Sequence, residues 1–408
     1  MKNKKNILYL SYDGLADQLS DSQILPYVKI LNNFFNVHVF TCEKKENKIK
    51  LKKLKNDLEG IKIKYTYLFF SKKLYFISIF RIFDSIKIFF NLIILIFRKN
   101  ISVIHARGHI PAYISYFLSF FFNIKFIFDF RGLWVEERLD NNSLSRNNLF
   151  GYFIFKILKY IEFKTLYKSY KVIVLTNNLK KKLIKDFKLS DSNIQVMPCY
   201  VDVNYFNKQA NHSNLDICSK LKINRNSKII CYLGSLGGFY LIDEMISFYS
   251  KLKLQHKEYI FLIITKQVNK IRSIINKIDN HDIKKNIKIL NLDYHEIPKY
   301  LSRVDVSLFF LKNSEARLGT CPVKFAESLA LGIPVICNSN IGDLDDYFTE
   351  ANIGACININ KNDSVENLIN NFDVIQDLSK NEIKKYTYKK FSINNAFNKY
   401  RLLYIDLL

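Results

Sequence analysis

The segment 319–336 (GTCPVKFAESLALGIPVI) holds the residue types best suited to binding a phosphorylated ligand. Pro322 fits the first position of a helix and Gly332 its C-terminal end. The N-terminus of this helix would direct unpaired N–H groups and a positive dipole end at a diphosphate. Lys324 adds a cation in the first turn, and Glu327, one turn later, could accept two hydrogen bonds from a ribose diol. The alternative is a capped surface helix with one Lys–Glu pair.

Other loops that could do chemistry follow predicted strands. The glycine-rich loop 234–238 (GSLGG) would let backbone N–H groups approach an anion closely, although such a loop is weak evidence alone. Asp129 and Arg131 lie on one side of a strand end, where the arginine either neutralises a phosphate or simply holds the aspartate. The polar loop 12–23 (YDGLADQLSDSQ) either binds a sugar-like acceptor or is ordinary turn chemistry.

Patterns for metals and dinucleotides are weak. Residues 12–23 do not match GxGxxG, and the histidines show no HExxH pairing. Asp343 and Asp345 form a DxD pattern, but the sequence has no other ligand cluster nearby, so we expect no metal site. The seven cysteines include no CxxC pair and lie mostly in apolar runs, which indicates buried thiols in a reducing compartment.

The elements that must position these residues alternate between short apolar runs and longer amphipathic ones. This rhythm predicts parallel sheets covered by helices on both faces. A length of 408 residues favours two domains of about 200 residues each, and the polar stretch 207–227 is the expected junction. Ligands of such folds bind at the carboxyl ends of the strands, which two domains side by side would place around one cleft. The expected strands are 6–11, 36–42, 61–70, 103–105, 125–130, 171–175, 228–233, 259–265, 287–290, 304–310 and 333–337, and the expected helices include 22–34, 147–169, one capped by Thr176, 322–331 and one capped by Ser392.

The charge is strongly positive and unevenly distributed. The chain carries +25, and residues 1–210, with 35 basic and 16 acidic residues, account for +19 of it. Such a half suits an anionic partner: a phospholipid surface, a lipid diphosphate or nucleic acid. Composition alone offers another explanation, because an AT-rich genome yields many Lys, Asn and Ile codons. The lysines on the outer face of the helix after Thr176 are likewise either a solvated face or a lipid contact.

No stretch reaches the ~18–20 uninterrupted apolar residues that a membrane span requires. The charge-free run 108–124 contains proline, serines and asparagine, and the apolar segment 74–97 is interrupted by charges. The apolar stretch near the N-terminus is too short for a signal peptide. We therefore expect a cytoplasmic protein, either free or peripheral on the inner face of the membrane.

Segment 319–336 resembles the donor-site helix of the retaining glycosyltransferases of family 4, which have the GT-B fold. That family has an E-x7-E pattern, of which Glu327 matches the second glutamate; Gly319 stands where the first would be. The segment resembles the branch with Ser-Pro-x-Lys-x-x-Glu at this site. Further resemblances, in the family's order, lie at residues 12–26, 128–140, 197–202, 232–245 and 392–404.

Two further positions depart from the family pattern. Ser235 stands where an arginine commonly follows the first glycine of the loop, and Arg131 where a histidine contacts the donor sugar. The resemblance then implies that Arg131, Lys324 and Arg317 share the neutralisation of the diphosphate, because no metal is expected to do so.

The resemblance implies an α/β protein of GT-B fold with two doubly wound Rossmann-like domains, residues 1–206 for the acceptor and 207–388 for the nucleotide sugar, and a C-terminal helix, 389–408, that packs back on the first. The implied activity is metal-independent retaining transfer of a hexosyl or related group from a nucleoside-diphosphate sugar to a glycan. No cofactor is expected. The predicted catalytic residues are Arg131, Asp129 and Lys324; the donor-binding residues are Gly234, Ser235, Gly237, Thr265, Arg317, Thr320, Lys324 and Glu327; and the acceptor-binding residues are Asp13, Gln23, His105, Arg107 and Arg138.

The expected acceptor is a lipid-diphosphate-linked glycan for a bacterial surface polysaccharide such as lipopolysaccharide or capsule, with peripheral contact to an anionic membrane. Two alternatives are a nucleotide-sugar epimerase of the same fold and a nucleotide-sugar-binding protein with a decayed donor site. The missing first glutamate and arginine motivate the second. A nucleic-acid-binding module would show salt-sensitive affinity, but no recognisable motif supports it, and we expect no nucleic-acid partner.

Overall fold

The computed structural model describes residues 4–70, 78–211 and 216–404. Residues 74–77 of the apolar segment 74–97 and 212–215 of the expected junction lie outside these ranges. The chain divides into two compact units. Unit 1 consists of the residues up to Pro198 together with those from Ala396 onward, and unit 2 runs from Cys199 to Asn395.

In the described residues, unit 1 is built on a parallel sheet of seven strands in the order β3-β2-β1-β4-β5-β6-β7. Almost every residue of the central strands is buried, as expected where helices cover both faces of a sheet. The strands are β1 (Asn6–Ser11), β2 (Asn36–Lys44), β3 (Lys64–Phe70), β4 (Ile101–Arg107), β5 (Lys125–Phe130), β6 (Lys171–Val174) and β7 (Ile194–Val196).

Helices connect these strands. The predicted helix 22–34 is two helices that meet at Ile24, where the backbone leaves helical geometry. The Thr176 cap is confirmed, since its hydroxyl oxygen accepts a hydrogen bond from the Leu179 N–H. The helices are α1 (Gln18–Gln23), α2 (Leu25–Asn32), α3 (Lys48–Gly60), α4 (Ser78–Lys99), α5 (His109–Phe121), α6 (Trp134–Asp140), α7 (Leu149–Lys168) and α8 (Asn177–Phe187), with single 3₁₀ turns at Lys45–Asn47 and Asp191–Asn193.

Unit 2 has a second parallel sheet, of six strands among the described residues, in the order β10-β9-β8-β11-β12-β13. Its strands are β8 (Lys228–Leu233), β9 (Tyr259–Ile264), β10 (Ile287–Leu290), β11 (Val306–Phe309), β12 (Val335–Asn338) and β13 (Gly354–Ile357). Its helices are α9 (Val203–Asn211), α10 (Ile217–Leu221), α11 (Ile242–Gln255), α12 (Val268–Ile275), α13 (His281–Asn286), α14 (Ile297–Leu301), α15 (Val323–Ala330), α16 (Leu344–Glu350), α17 (Asn362–Asn370), α18 (Asp373–Gln376) and α19 (Lys380–Phe391), with a 3₁₀ helix at Glu315–Gly319.

The last helix, α20 (Ile393–Tyr404), begins in unit 2 and ends in unit 1. Within unit 2, the Val201 N–H donates to the Phe391 carbonyl, and the Ile393 N–H donates to the Val201 carbonyl. The segment that begins unit 2 and the segment that leads into α20 therefore lie side by side. Within unit 1, the ring of Tyr404 lies 5.0 Å from that of Phe35. The units divide after Pro198 and Asn395, whereas the sequence predicts boundaries at 206 and 388. Helix α9, through Val203 and Phe206, and the end of α19, through Phe391, both pack in the core of unit 2.

Both units are doubly wound α/β folds, which confirms the predicted fold class. The strand order reverses between β1 and β4 in unit 1 and between β8 and β11 in unit 2. Loops leave such a reversal in opposite directions and open a crevice at the carboxyl ends of the two strands, where doubly wound folds bind ligands. Among the described residues, none of the helices combines the length and apolarity needed to cross a bilayer.

Candidate functional site

In unit 2, the crevice between β8 and β11 is bordered by the glycine-rich loop and by α15. The loop follows β8 directly, and the segment after β11 leads through the 3₁₀ helix Glu315–Gly319 into α15. Helix α15 starts at Val323, so Pro322 precedes the first helical residue by one position. Gly332 has φ +75° just past the helix, consistent with the expected helix end.

Lys324, in the first turn of α15, places a buried ammonium group against aromatic rings. Its Nζ lies 3.7 Å from the ring centre of Tyr240 and 4.5 Å from that of Tyr232. No hydrogen-bond acceptor reaches this Nζ in the part of the chain that the structure describes. Burial lowers the pKa of Lys324 to about 7, although the carboxylate of Glu327 acts to raise it. A buried cation without an acceptor is poised for an anionic ligand.

Glu327 lies one turn further along α15 and is 4% exposed. Burial raises its pKa to about 7, and a hydrogen bond with Tyr294 and the charge of Lys324 act in the opposite direction. The two ionisable groups of the helix therefore lie in one desolvated environment, where each favours the charged form of the other. Such mutually perturbed groups in a crevice mark a candidate binding site.

Two positions of the glycine loop, Gly234 and Gly237, have no room for a side chain. Gly234 has φ +151°, and a Cβ at this position would collide with Lys324 Nζ and lie 3.1 Å from Tyr232 Oη. Gly237 has φ +107°, and its Cβ would lie 2.6 Å from Lys270 Nζ. The Lys270 ammonium donates to the Leu236 carbonyl at 3.0 Å, which ties the loop to α12. Ser235, between the two glycines, is exposed.

The remaining predicted donor residues lie nearby in unit 2. Arg317 is 1% exposed; its guanidinium lies 3.8 Å from the ring centre of Phe239 and donates to the Thr320 hydroxyl at 3.3 Å. Phe239 and Tyr240 are in ring contact, so Arg317 and Lys324 are held on adjacent aromatic side chains. Thr265 directly follows β9, and its hydroxyl accepts a hydrogen bond from the Gln267 N–H at 3.2 Å, which fixes the turn into α12.

Sequence reasoning missed this aromatic support for the two cations. The signal was present, because Phe239 and Tyr240 directly follow the glycine loop in the sequence GGFY. Cation–π contacts of this kind contribute about 0.5–2 kcal/mol each, depending on desolvation. These contacts hold the Arg317 guanidinium and the Lys324 ammonium against aromatic faces.

In unit 1, two arginines converge on one neutral oxygen. Gln23 Oε1 accepts hydrogen bonds from Arg107 Nη2 at 2.9 Å and from Arg131 Nη2 at 2.8 Å. Arg107 ends β4, Arg131 follows β5, and Gln23 ends α1, so the crevice beside β1 brings together residues that are distant in sequence. Two guanidinium groups beside a single amide oxygen form a positive cluster suited to a phosphate.

Asp129 is a buried carboxylate that lies beside this arginine cluster. Its carboxylate lies 3.6 Å from Arg131 Nη1 and 3.6 Å from His105 Nε2. Burial raises the pKa of Asp129, but Arg131, His105 and Arg107 together more than reverse this and bring it down to about 2. His105 is itself buried, with its Nδ1 2.6 Å from the Tyr404 hydroxyl. Asp129 therefore stays ionised and orients Arg131.

The remaining predicted acceptor residues are Asp13 and Arg138. Asp13 is exposed in the loop after β1. The guanidinium of Arg138 lies 4.0 Å from the ring centre of Trp134, and the Trp134 ring stacks on His109. Arg138 is thus supported by stacked aromatic side chains of α6 and α5.

Sequence reasoning also missed Glu43, a fully buried carboxylate at the end of β2. It accepts hydrogen bonds from the Leu15 N–H and from the hydroxyls of Thr41 and Tyr65. A Cβ on Gly14 would collide with this carboxylate. Glu43 thus fixes the loop after β1, and an acidic residue ending a buried apolar strand was the available signal.

In the described ranges, no group of three or more His, Cys, Asp or Glu side chains is arranged to hold a metal ion. Asp345 of the DxD pattern accepts the Asn340 N–H at 2.8 Å, within the turn that leads into α16.

Comparison with protein families assigns both units. Residues 32–205 match the family described as Glycosyltransferase Family 4, and residues 215–390 match Glycosyl transferases group 1. Together the two matches span most of the chain. The chain is therefore a glycosyltransferase of the GT-B type. No curated protein matches the sequence.

Solved structures agree on the fold. A glycosyltransferase from Rickettsia africae ESF-5 superimposes with a TM-score of 0.71 at 18% identity, covering 99% of this chain and 98% of its own. HepE from Anabaena, solved with UDP and glucose, gives 0.70 at 12% identity, covering 99% and 100%. WaaG, a glycosyltransferase involved in lipopolysaccharide biosynthesis, gives 0.66 at 12% identity, covering 96% and 98%.

Proposed function

We propose that this glycosyltransferase is a metal-independent, retaining enzyme that moves a hexosyl or related group from a nucleoside-diphosphate sugar to a lipid-diphosphate-linked glycan. The observation that carries the proposal is Lys324, a buried ammonium without an acceptor in the described residues, one helical turn from the buried carboxylate of Glu327. A diphosphate supplies the missing anion, and a ribose diol supplies donors to the carboxylate. HepE, a structural neighbour, binds UDP and glucose.

In this proposal the diphosphate lies against the glycine loop and the N-terminus of α15. Lys324 and Arg317 neutralise it, with the Thr320 hydroxyl as a further donor. These groups are held by aromatic rings and are preorganised before the ligand arrives, so they stabilise the charge that develops on the leaving diphosphate without having to move. Glu327 orients the nucleoside through its ribose.

The proposed chemical step needs no covalent nucleophile from the protein. The bond between the anomeric carbon and the diphosphate oxygen breaks, and the acceptor hydroxyl forms the new bond on the same face. The hydroxyl proton passes to an oxygen of the leaving diphosphate. In unit 1, Asp129, Arg131, Arg107 and Gln23 bind and orient the anionic part of the acceptor in this proposal.

The acceptor and setting are proposed from charge. The +19 of residues 1–210 suits a lipid diphosphate and an anionic membrane surface. We propose a peripheral position on the inner face of the cytoplasmic membrane and a role in surface polysaccharide synthesis, with lipopolysaccharide or capsule as candidate products. WaaG, another structural neighbour, is involved in lipopolysaccharide biosynthesis.

One observation favours a second candidate, a nucleotide-sugar-binding protein without turnover. Gly319 and Ser235 lack the side chains that the related enzymes use at those positions, so part of the usual contact with the donor is missing. A nucleotide-sugar epimerase is the remaining alternative, and it would consume a donor when no acceptor is present.

The test measures release of the nucleoside diphosphate from a panel of UDP-, GDP- and other nucleotide sugars, with and without lipid extract from the source cells. We expect release from one donor that depends on the extract and is lost in Glu327→Ala. Glu382→Ala, at an exposed acidic position of α19, is the matched control and should keep full release. Binding without release from any donor would establish the binding protein instead, and consumption of a donor without extract would establish the epimerase.

A further inference from the structure

Large apolar side chains are exposed mainly on three neighbouring helices of unit 1. Of the twenty-two exposed large apolar side chains in the described part of the chain, fourteen lie on α4, α5 and α7. Single exposed apolar residues are normal on a protein surface, but concentration on one set of packed helices marks an interaction surface. We call the outward side of α4, α5 and α7 the three-helix face.

Helix α7 is amphipathic in the opposite sense to a helix on a water-facing surface. Phe150, Phe153, Ile157 and Tyr160 recur at helical spacing and are 77%, 59%, 54% and 62% exposed. Its opposite side buries Glu162, which is hydrogen-bonded to the ring of His109 and forms an ion pair with Lys159. A helix that places its carboxylate inside and its aromatic row outside is built to meet an apolar medium.

Helix α4 adds a second row, and α5 joins the two. Along α4, Ile86, Phe90, Ile94 and Phe97 are exposed at intervals of one turn. The inward side of the helix buries Ile88, Leu92 and Ile96. The ring of Phe121 on α5 contacts Phe89 of α4 at 6.2 Å. On the other side, the Lys168 ammonium of α7 lies 5.8 Å from the ring centre of Phe120 on α5. The apolar rows therefore form one continuous face.

The charges of the three-helix face are basic. Lysines on α7 lie over exposed tyrosines: Lys156 Nζ is 5.5 Å from the Tyr152 ring and Lys164 Nζ is 5.4 Å from the Tyr160 ring. Exposed basic residues on these helices include Lys87, Arg98, Lys99, Lys156 and Lys168. Of the acids whose side chains are described there, Glu162 is buried and Asp84 is half-buried.

These charges distinguish between possible partners. A second copy docked through the same face would bring lysines against lysines, and like charges at close range oppose association. An anionic bilayer offers an apolar interior for the aromatic and aliphatic rows and acidic headgroups for the lysines, whose stems can lie along the apolar surface while their ammonium groups reach outward.

We infer that the three-helix face is the surface through which unit 1 docks on an anionic lipid bilayer. The helices lie in the plane of the membrane, with the aromatic rows inserted about 5–10 Å into the boundary between headgroups and acyl chains. The inference rests on the membrane contact in the proposed function and assigns that contact to named helices.

Co-sedimentation with vesicles tests the inference on the full-length protein. We expect strong binding to phosphatidylcholine vesicles that contain phosphatidylglycerol and weak binding to phosphatidylcholine alone. Phe150→Ser with Phe153→Ser should lower the partition coefficient at least ~10-fold. The matched control is Leu254→Ser with Val374→Ser, at unit 2 positions that are 72% and 64% exposed, and it should bind like the wild type.

Charge reversal supplies the second arm. Lys156→Glu with Lys168→Glu should lower partition at least ~10-fold, because each basic residue near an anionic surface contributes about 1 kcal/mol. Lys181→Glu with Lys185→Glu, on α8, changes the net charge equally on a helix without large exposed apolar residues and should lower it less. Equal losses from both pairs would overturn the inference in favour of a general effect of net charge.

Two further outcomes decide between the inference and its competitors. Unchanged vesicle binding by the Phe150 and Phe153 double variant overturns the inference. If that variant instead dissociates a dimer seen by analytical ultracentrifugation while vesicle binding is unchanged, the face is a protein interface. Thermal unfolding checks that each variant is folded. Because vesicle binding needs no sugar donor, the docking surface stands even if no donor releases its nucleotide, and the transferase proposal stands if docking fails.

Discussion

Replacing Lys324 with methionine should stabilise the empty protein and remove its function. Methionine has a similar length and stays in contact with the rings of Tyr240 and Tyr232, but it removes an ammonium group that is buried without an acceptor in the described residues. Burial lowers the pKa of Lys324 from 10.5 to about 7. At about 1.4 kcal/mol for each pH unit, the charged lysine costs the fold about 4 kcal/mol at neutral pH.

The expected gain for Lys324→Met is somewhat smaller, about 2–4 kcal/mol, because the cation–π contacts are lost as well. For a unit of this size that gain corresponds to a rise in Tm of roughly 5–10 °C. Lys385→Met, at an exposed position of α19, is the control and should change Tm little.

The stability difference between Lys324→Met and the wild type should also depend on pH, with a sign that follows from the lowered pKa of Lys324. Between pH 7 and 10.5 the unfolded chain holds a proton that the folded lysine has released, so the stability of the wild type rises with pH across this window. The advantage of Lys324→Met should therefore be largest at or below pH 7 and shrink towards zero near pH 10.5. Differential scanning fluorimetry over this range measures it, with the wild type as reference at each pH.

The same variant should bind UDP or GDP at least ~100-fold more weakly, because it has lost the buried cation that neutralises the diphosphate in the proposed function. Isothermal titration calorimetry measures this affinity. The reasoning is refuted if Lys324→Met is no more stable than the wild type at pH 7, if its advantage does not depend on pH, or if it binds the nucleotide unchanged.

The remaining predictions concern the glycine loop and the unit 1 cluster. Gly234→Ala should weaken nucleotide binding about 10-fold, since its Cβ would displace the buried ammonium, whereas Gly238→Ala, at φ +66° in open space, should leave affinity within about twofold and cost only backbone strain of ~1–2 kcal/mol; calorimetry separates the two. Gln23→Glu should raise Tm by pairing with two guanidinium groups, yet lower transfer to a lipid-diphosphate acceptor while nucleotide affinity is unchanged; unimpaired transfer would exclude this cluster as the acceptor phosphate site. Asp129→Asn should cost about 2 kcal/mol of stability above pH 4, and this difference should vanish as the pH falls through about 2, because the folded carboxyl keeps its charge down to that pH; acid unfolding of both proteins measures it.

The sequence by itself determined the architecture and the main site element. Alternation of short apolar runs with amphipathic ones predicted two parallel sheets, because strands buried on both faces need apolar residues at nearly every position. The features of segment 319–336 placed Lys324 and Glu327 one turn apart, because helical periodicity depends only on residues close in sequence. The three departures from the family pattern, at Gly319, Ser235 and Arg131, were also visible in the sequence.

Tertiary structure decided which distant residues meet. Gln23 and Arg131 are 108 positions apart and share a hydrogen bond only because α1 and β5 both end at the crevice beside β1. The boundary between the units depends on α9 packing into the core of unit 2, which local composition did not reveal. The burial of Lys324, and hence its lowered pKa, also required the packed fold, since desolvation is a property of all the surrounding atoms.

For α7, too, the sequence determined one part and the tertiary structure another. Its apolar and basic residues could be read from the sequence, which predicted a long helix at 147–169, close to the observed Leu149–Lys168. Which side of that helix faces the core could not be read, because hydrophobic periodicity places the apolar side inward by default. The structure places Glu162 inside, where it pairs with Lys159 and is hydrogen-bonded to His109, and leaves the aromatic row outside. Pairing between residues on different elements reversed the preference that helical periodicity alone would assign.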